Sequence, residues 1–232
     1  MSTFARQVVD FLMNLQYTGE LPDGISIMNP FRDNPEVIKI VTSFYSKYYN
    51  DYDYRHLILG INPGRHGAGV TGIPFTDTIR LKEKCGFDLK DIRTFETSSV
   101  FIYEMIDRYG GPEDFYRDFF ISSVSPLGFT SRSRNGREIN YNYYDSKELS
   151  DTLTGFIVRA IKTQINFGIK TDVCFCLGSG KNYRFLMELN DRLKLFRRIV
   201  PLEHPRFIMQ YRSGQKDDYI QLYLNKFSER DI

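Results

Sequence analysis

Short apolar runs alternate with helix-length amphipathic stretches along most of this chain, and that alternation constrains its fold more than any other feature. The runs are "HLILGI" (56–61), "DFFISSVS" (118–125), "DVCFCLG" (172–178) and "RRIVPLE" (197–203). Short continuous apolar runs of this kind suit strands buried on both faces. Helix-like stretches at 98–110, 146–168 and 181–196 precede the second, third and fourth runs. Others cover about 3–16, 35–49 and 216–229. Parallel strands need long crossover connections, and helices supply them. The pattern predicts an α/β fold with one domain over 1–232. Its centre is a mostly parallel four-stranded sheet flanked by helices, with a helical N-terminal segment, about 1–50, packed on it. No repeat, low-complexity segment or Ser/Gly-rich linker divides the chain, and 41% apolar residues suffice for a core.

In such sheets ligands bind beyond the carboxyl ends of strands. The four segments found there are "NPGRHGAGVTGIPF", "PLGFTSRSRNGREINYNYYD", "SGKNY" and "HPRFIMQYR". Two of them imitate nucleotide motifs and fail the context test. "GAGVTG" (67–72) spells G-x-G-x-x-G, yet Asn62-Pro63-Gly64-Arg65-His66 separates it from the strand. Pro74 also pushes Ile73 away from helical geometry. "GSGK" (178–181) has Phe175 where a P-loop needs its first glycine and Asn182 where it needs Ser or Thr. What remains is a tight turn entering a helix, whose N–H groups suit one phosphate.

Composition removes other classes. Cys85, Cys174 and Cys176 are an odd number, against a disulfide framework. Cys174 and Cys176 alternate within an apolar run and read as small buried hydrophobes. Three thiols are too few for the usual iron–sulfur cluster. His56, His66 and His204 show no metal-ligand spacing, so neither metal nor cofactor is expected. No 18-residue apolar run exists, and the N-terminus lacks the charged start and apolar centre of a signal peptide. The expectation is a cytoplasmic protein without membrane contact. The net charge of +2 is unevenly spread: residues 181–216 hold nine basic and three acidic groups, residues 1–54 four basic and seven acidic. The basic segment is an electrostatic footprint for a polyanion.

Asn62 follows the first run and His204 ends the last. A turn asparagine usually serves local backbone bonding, and a lone His-Pro pair says little. Together they close two strands expected to lie side by side, with a glycine-rich loop beside one and a basic, aromatic segment after the other.

"GINPGRHGAGVTGIPF" (60–75) resembles the first motif of the uracil-DNA glycosylase superfamily, especially its single-strand-selective monofunctional (SMUG) branch. That branch has a Gly-x-Asn-Pro-Gly start and a Thr-Gly-x-Pro-Phe end at this spacing. "HPRF" is similar to the second motif, in the loop that penetrates DNA. "SSVSPLGFTSRSRNGREIN" is similar to the stretch where a Ser-Pro-Leu strand end leads to a base-reading asparagine. The resemblance spans about 56–215, with departures at "NYNYYD" and after His-Pro that suggest a bacterial branch.

It implies a monofunctional glycosylase that flips a deaminated base out of DNA and hydrolyses its N-glycosidic bond. Asn62 matches the water-positioning residue. His204 matches the donor to the base O2 as negative charge develops. Ile61, Gly64 and Phe75 match the base pocket, with Phe75 stacking on the base. Asn140 is the preferred base reader, Asn142 the close alternative and Asn135 a weaker one. Phosphate contacts fall to Ser179, Gly180, Lys181, Arg206 and Arg212, with Arg132, Arg134 and Ser125 as further candidates. Ile208 is the first candidate for the wedge that fills the vacated stack. The implied partner is DNA, single- and double-stranded, bound by a monomer. Two other readings stay open: a noncatalytic nucleic-acid-binding module with a degenerate glycosylase fold, and a hydrolase of free nucleosides or nucleotides. The resemblance leaves open the choice among uracil, hydroxymethyluracil, xanthine and hypoxanthine.

Overall fold

The computed structural model describes residues 2–88 and 92–231. The four apolar runs form one parallel sheet: β2 (Arg55–Gly60), β3 (Phe119–Ser123), β6 (Ile169–Leu177) and β7 (Arg198–Leu202), in the order β3-β2-β6-β7. A smaller antiparallel sheet, ordered β1-β4-β5, holds β1 (Ile25–Met28), β4 (Gly128–Arg132) and β5 (Glu138–Tyr141). The N-terminal helices are α1 (Phe4–Met13), α2 (Pro30–Asp33) and α3 (Pro35–Tyr48). Between β2 and β3 lie α4 (Ala68–Thr71), α5 (Thr78–Cys85), α6 (Thr97–Tyr109) and α7 (Pro112–Asp118). The crossovers of the second half are α8 (Lys147–Ile165) and α9 (Lys181–Leu193). The chain continues with α10 (Pro205–Tyr211) and α11 (Lys216–Ser228).

The period of two along β3 sends its aromatics to opposite faces. The Phe119 ring meets Phe227 of α11, with centroids 4.6 Å apart, and the Phe120 ring meets Phe4 of α1 at 5.2 Å. Helices therefore cover both sides of the parallel sheet. The α1 helix packs against α3, and α6 packs against α10 and α11. One charge is locked inside. The Arg55 guanidinium, fully buried, lies 4.8 Å from the rings of both Phe4 and Tyr49. It donates to both Asp51 carboxylate oxygens at 2.8 and 2.7 Å and to the Tyr116 carbonyl at 2.8 Å. Its cost of desolvation is offset by these bonds, and the N-terminal helices are thereby tied to the first strand of the parallel sheet.

Three differences from the sequence reading have physical causes. First, β2 and β7 are not neighbours, because β6 pairs with both. Asn62 and His204 thus flank the turn after β6 rather than each other. Second, 128–141 is a hairpin rather than a loop. It turns at Asn135-Gly136, with Gly136 at φ 76°, a left-handed geometry that glycine adopts without penalty. Third, "RFIMQYR" is largely helical: Pro205 starts α10 at a position where its missing N–H is harmless. No helix among the described residues is long and apolar enough to cross a membrane.

Candidate active site

The carboxyl ends of the parallel strands open into a cavity of about 290 Å³. Its wall brings together Asn62, His204, Phe75, Asn140, Ile61 and Gly64 from four separate stretches of chain. Asn142 and Arg206 share the wall, as do Glu96, Phe207 and Tyr211.

Asn62 is fixed by three hydrogen bonds. Its Nδ2 donates to the Pro63 and Tyr141 carbonyls, both at 3.3 Å, and its Oδ1 accepts from the Tyr143 N–H at 3.1 Å. The end of β5 and the residues just beyond it thus clamp the Asn62 amide, two residues past β2. The same hairpin fixes the next turn, where the Arg65 N–H donates to Asn140 Oδ1 at 3.0 Å and the Arg65 guanidinium donates to the Glu138 carbonyl.

His204 is the N-cap of α10. Its Nδ1 accepts from the Arg206 N–H at 3.1 Å, one of the helix's orphan donors. An accepting Nδ1 leaves the proton of a neutral ring on Nε2. Burial, and secondarily the nearby Arg206 cation, pull the imidazole pKa down to about 4, so the ring is neutral at pH 7. The site therefore offers a neutral Nε2–H donor.

Phe75 has φ 53°, a left-handed conformation that a bulky side chain rarely adopts. Strain of this kind persists where the surroundings enforce it. Thr71 does so: its hydroxyl accepts from the Ile73 N–H at 3.2 Å and bonds the Thr76 carbonyl at 2.7 Å. The Phe75 ring consequently lies across Gly60, where any Cβ would stand 2.8 Å from its edge. It sits 5.6 Å from the His204 ring. Ile61 and Gly64 supply backbone and a small side wall to the same cavity.

The other expectations divide. Asn142 lines the cavity, but its amide and backbone N–H are turned to Asp145, at 3.4 and 2.8 Å. Asn135 sits at the hairpin tip, bonded to the Ser133 hydroxyl. Ser125 is fully buried and donates to the Leu127 carbonyl at 3.0 Å, so it faces the protein interior. Ser179 and Gly180 are exposed at the entry to α9, and Ser179 donates to Glu203 at 2.8 Å. Lys181 begins α9 with its ammonium 5.8 Å from the Tyr144 ring, itself part of the cavity wall. Arg206 and Arg212 are exposed at the two ends of α10, and Arg132 and Arg134 are exposed on the hairpin. Ile208 requires correction. It is 0% exposed, held in the core by the inward face of α10, and an enclosed side chain cannot enter a duplex. The outward face carries Phe207 and Tyr211 instead, 39% and 64% exposed, with ring centroids 5.5 Å apart.

Glu96 escaped the sequence reading, because nothing in "FETSS" connects residue 96 to the loop at 60–75. It precedes α6, and its backbone N–H donates to the buried Asp77 carboxylate at 2.8 Å. Its own carboxyl group lies against Gly67, where a Cβ would collide with Oε2. Burial, then the nearby Asp77, push its pKa up to about 7, while Arg206 pulls it back.

The family model for the uracil DNA glycosylase superfamily matches residues 46–228. Among solved structures, the crystal structure of wild-type Pedobacter heparinus SMUG2 is 54% identical, with a TM-score of 0.97 over 100% of this chain and 99% of that one. No curated protein matches the chain.

Proposed function

The chain belongs to the uracil DNA glycosylase superfamily, and from that premise we propose how its cavity carries out the work of a DNA-repair uracil-DNA glycosylase, a hydrolase of N-glycosyl bonds. A stacked duplex hides the glycosidic bond, so the nucleotide flips out and its base enters the cavity. One observation carries the assignment of roles: Asn62, His204 and Asn140, distant in sequence, share one cavity wall.

Phe75 stacks on the base. As the glycosidic bond lengthens, negative charge moves onto the base, and the neutral His204 Nε2–H donates to its O2. A donor fixed in advance costs no reorganisation at that moment. Asn62 is an amide and no base at neutral pH. It orients water toward the sugar cation left behind. The chain's own side chains supply these roles without a metal or cofactor, and among the described residues no lysine lines the cavity. The test is incubation with oligonucleotides carrying uracil, hydroxymethyluracil, xanthine or hypoxanthine, single- and double-stranded, followed by detection of alkali-labile sites. Activity that survives EDTA, with no adduct trapped by borohydride, is the expected result. Binding without cleavage on every substrate would return the chain to the noncatalytic reading.

Asn140 reads the base edge. The Arg65 N–H engages one lone pair of its Oδ1, and its Nδ2 is the uncommitted donor for substrate. Asn140→Asp keeps the bond to Arg65 but replaces the donor with an acceptor. Uracil excision is expected to fall by roughly tenfold or more, the worth of one misplaced hydrogen bond. An Asn142→Asp variant with that loss, beside an active Asn140→Asp, would reverse the choice between them.

The outward face of α10 docks on DNA, with Arg206 and Arg212 on the backbone and Tyr211 or Phe207 as the wedge. Inserted apolar side chains offset part of the unstacking cost. Tyr211→Ala is expected to slow excision more in duplex than in single-stranded DNA, with little change in thermal midpoint. Equal slowing on both substrates removes it as a wedge. Ile208→Ala, by contrast, is expected to destabilise the fold by about 2–5 kcal/mol through the cavity it leaves. DNA contacts also follow from Ser179, Gly180 and Lys181 at the α9 entry, and the protein works as a monomer.

A further inference from the structure

Uracil presents a carbonyl, O4, beside a donor, N3–H. An asparagine amide reads both when its Nδ2 and a lone pair of its oxygen face that edge together. Here Oδ1 already accepts from the Arg65 N–H at 3.0 Å, so one of its two lone pairs is engaged and the oxygen is tied to the loop. Nδ2, which suits O4, is the uncommitted end of the amide, and a second acceptor would serve N3–H.

Such an acceptor stands nearby. The point where Gly64 would carry a Cβ is 3.7 Å from Asn140 Nδ2 and 3.6 Å from Glu96 Oε1. Both side chains line the same cavity. Asn140 is anchored to the loop at Arg65, and Glu96 is anchored through its backbone to Asp77. The carboxyl oxygens themselves take no hydrogen bond from any described residue, and only burial and neighbouring charge act on them. An acceptor without a donor, beside a donor without an acceptor, faces a space suited to a flipped base.

We propose that Glu96 is a specificity-determining residue of this pocket: a carboxyl oxygen accepts the base N3–H while Asn140 Nδ2 donates to O4, so two side chains share the reading of one edge. The proposal rests on Asn140 facing the base. It gives cytosine two mismatches, since cytosine has a lone pair at N3 and an amine at C4. The acceptor survives protonation, because a neutral carboxyl keeps its carbonyl oxygen. The raised pKa makes that neutral form accessible near pH 7, which limits repulsion as the base departs with negative charge.

The test compares uracil with 3-deazauracil, which has C–H in place of N3–H, in oligonucleotides under single-turnover conditions. The intrinsic difference between the two leaving groups is common to every enzyme form and cancels in the comparison. The preference for uracil over 3-deazauracil is expected to fall on the order of tenfold or more in Glu96→Ala. Glu96→Gln, which retains a carbonyl acceptor, should keep most of the preference. Asn140→Ala should slow uracil excision yet leave the preference near wild type. If Glu96→Ala folds poorly, Glu96→Asp, which withdraws the carboxyl by one methylene, is expected to lose the preference in the same way. Equal slowing on both substrates in the Glu96 variants would make Glu96 a support for the loop and overturn the proposal. Wild-type uracil excision in Asn140→Ala would instead overturn the reading on which it rests.

Discussion

Asn62→Ala and His204→Ala should each lower single-turnover excision by at least about a hundredfold, the scale of one oriented catalytic group. The two losses have different origins. Asn62 is clamped by Pro63, Tyr141 and Tyr143, so its orientation is set before substrate arrives. Alanine leaves the Tyr143 N–H without that acceptor, a cost of about 1–2 kcal/mol, and the variant should remain folded. His204→Ala removes a helix cap, worth about 1 kcal/mol. His204→Asn is the control, because asparagine restores a capping side chain but not the imidazole donor. It should regain stability without regaining rate. The pH profile carries a second expectation. The folded pKa of about 4 lies below the unfolded value of about 6.5. The stability contributed by neutral His204 is complete above pH 6.5 and is lost as pH falls toward 4. The wild-type rate should show no histidine inflection near pH 6.5. Folded alanine variants with near-wild-type rates would contradict the assignment of both residues.

Asp77→Ala should cost about 3 kcal/mol of stability, the lower end expected when one partner of a buried charged network is removed. Asp77 is fully buried. It accepts from the Arg80 N–H at 2.8 Å as the cap of α5, from the Glu96 N–H at 2.8 Å and from the Ser99 hydroxyl at 2.7 Å. Alanine strands the two backbone donors and the Arg80 guanidinium, which is 3.4 Å away, and leaves the Ser99 hydroxyl with the Glu96 carbonyl at 3.0 Å. For a chain of this size the thermal midpoint should drop by roughly 6–12 °C. Asp77→Asn, which keeps one acceptor oxygen, should lose less. A drop below about 2 °C in Asp77→Ala would show that other groups carry the junction between α5 and α6.

The parallel sheet was legible because each of its strands is a bounded apolar run, and burial on both faces demands such runs. The antiparallel sheet was not. In β5, Glu138, Ile139 and Asn140 are all exposed, so no alternation marks the strand. The Asn135-Gly136 pair was the one signal available, since that dipeptide favours a tight hairpin turn. The seven residues of α10 span only two turns, too few for a period to separate inward Ile208 from outward Phe207 and Tyr211. His204 before Pro205 does fit a helix start, a local signal that the likeness to a DNA-penetrating loop outweighs. Asn62, His204, Phe75 and Asn140 were nominated from motif resemblance, and the fold brings them to one cavity wall. Strand order could not be read, because the insertion of β6 between β2 and β7 is decided by packing between distant segments. Glu96 was hidden for the same reason: its contacts are with residues 64–67 and Asp77, and short-range pattern carries no trace of them.

The interior place of β2 also governs the order in which the protein can be made. Its register joins residues 55–60 to 119–123 on one side and to 169–176 on the other. A growing chain therefore carries β2 with one backbone edge unpaired until most of the polypeptide has been synthesised. Such late, long-range pairing is slow, and an apolar edge left open invites association between chains. Products that end before residue 169 would lack the partner for that edge. For this enzyme, protection of the central strand waits until synthesis has passed β6.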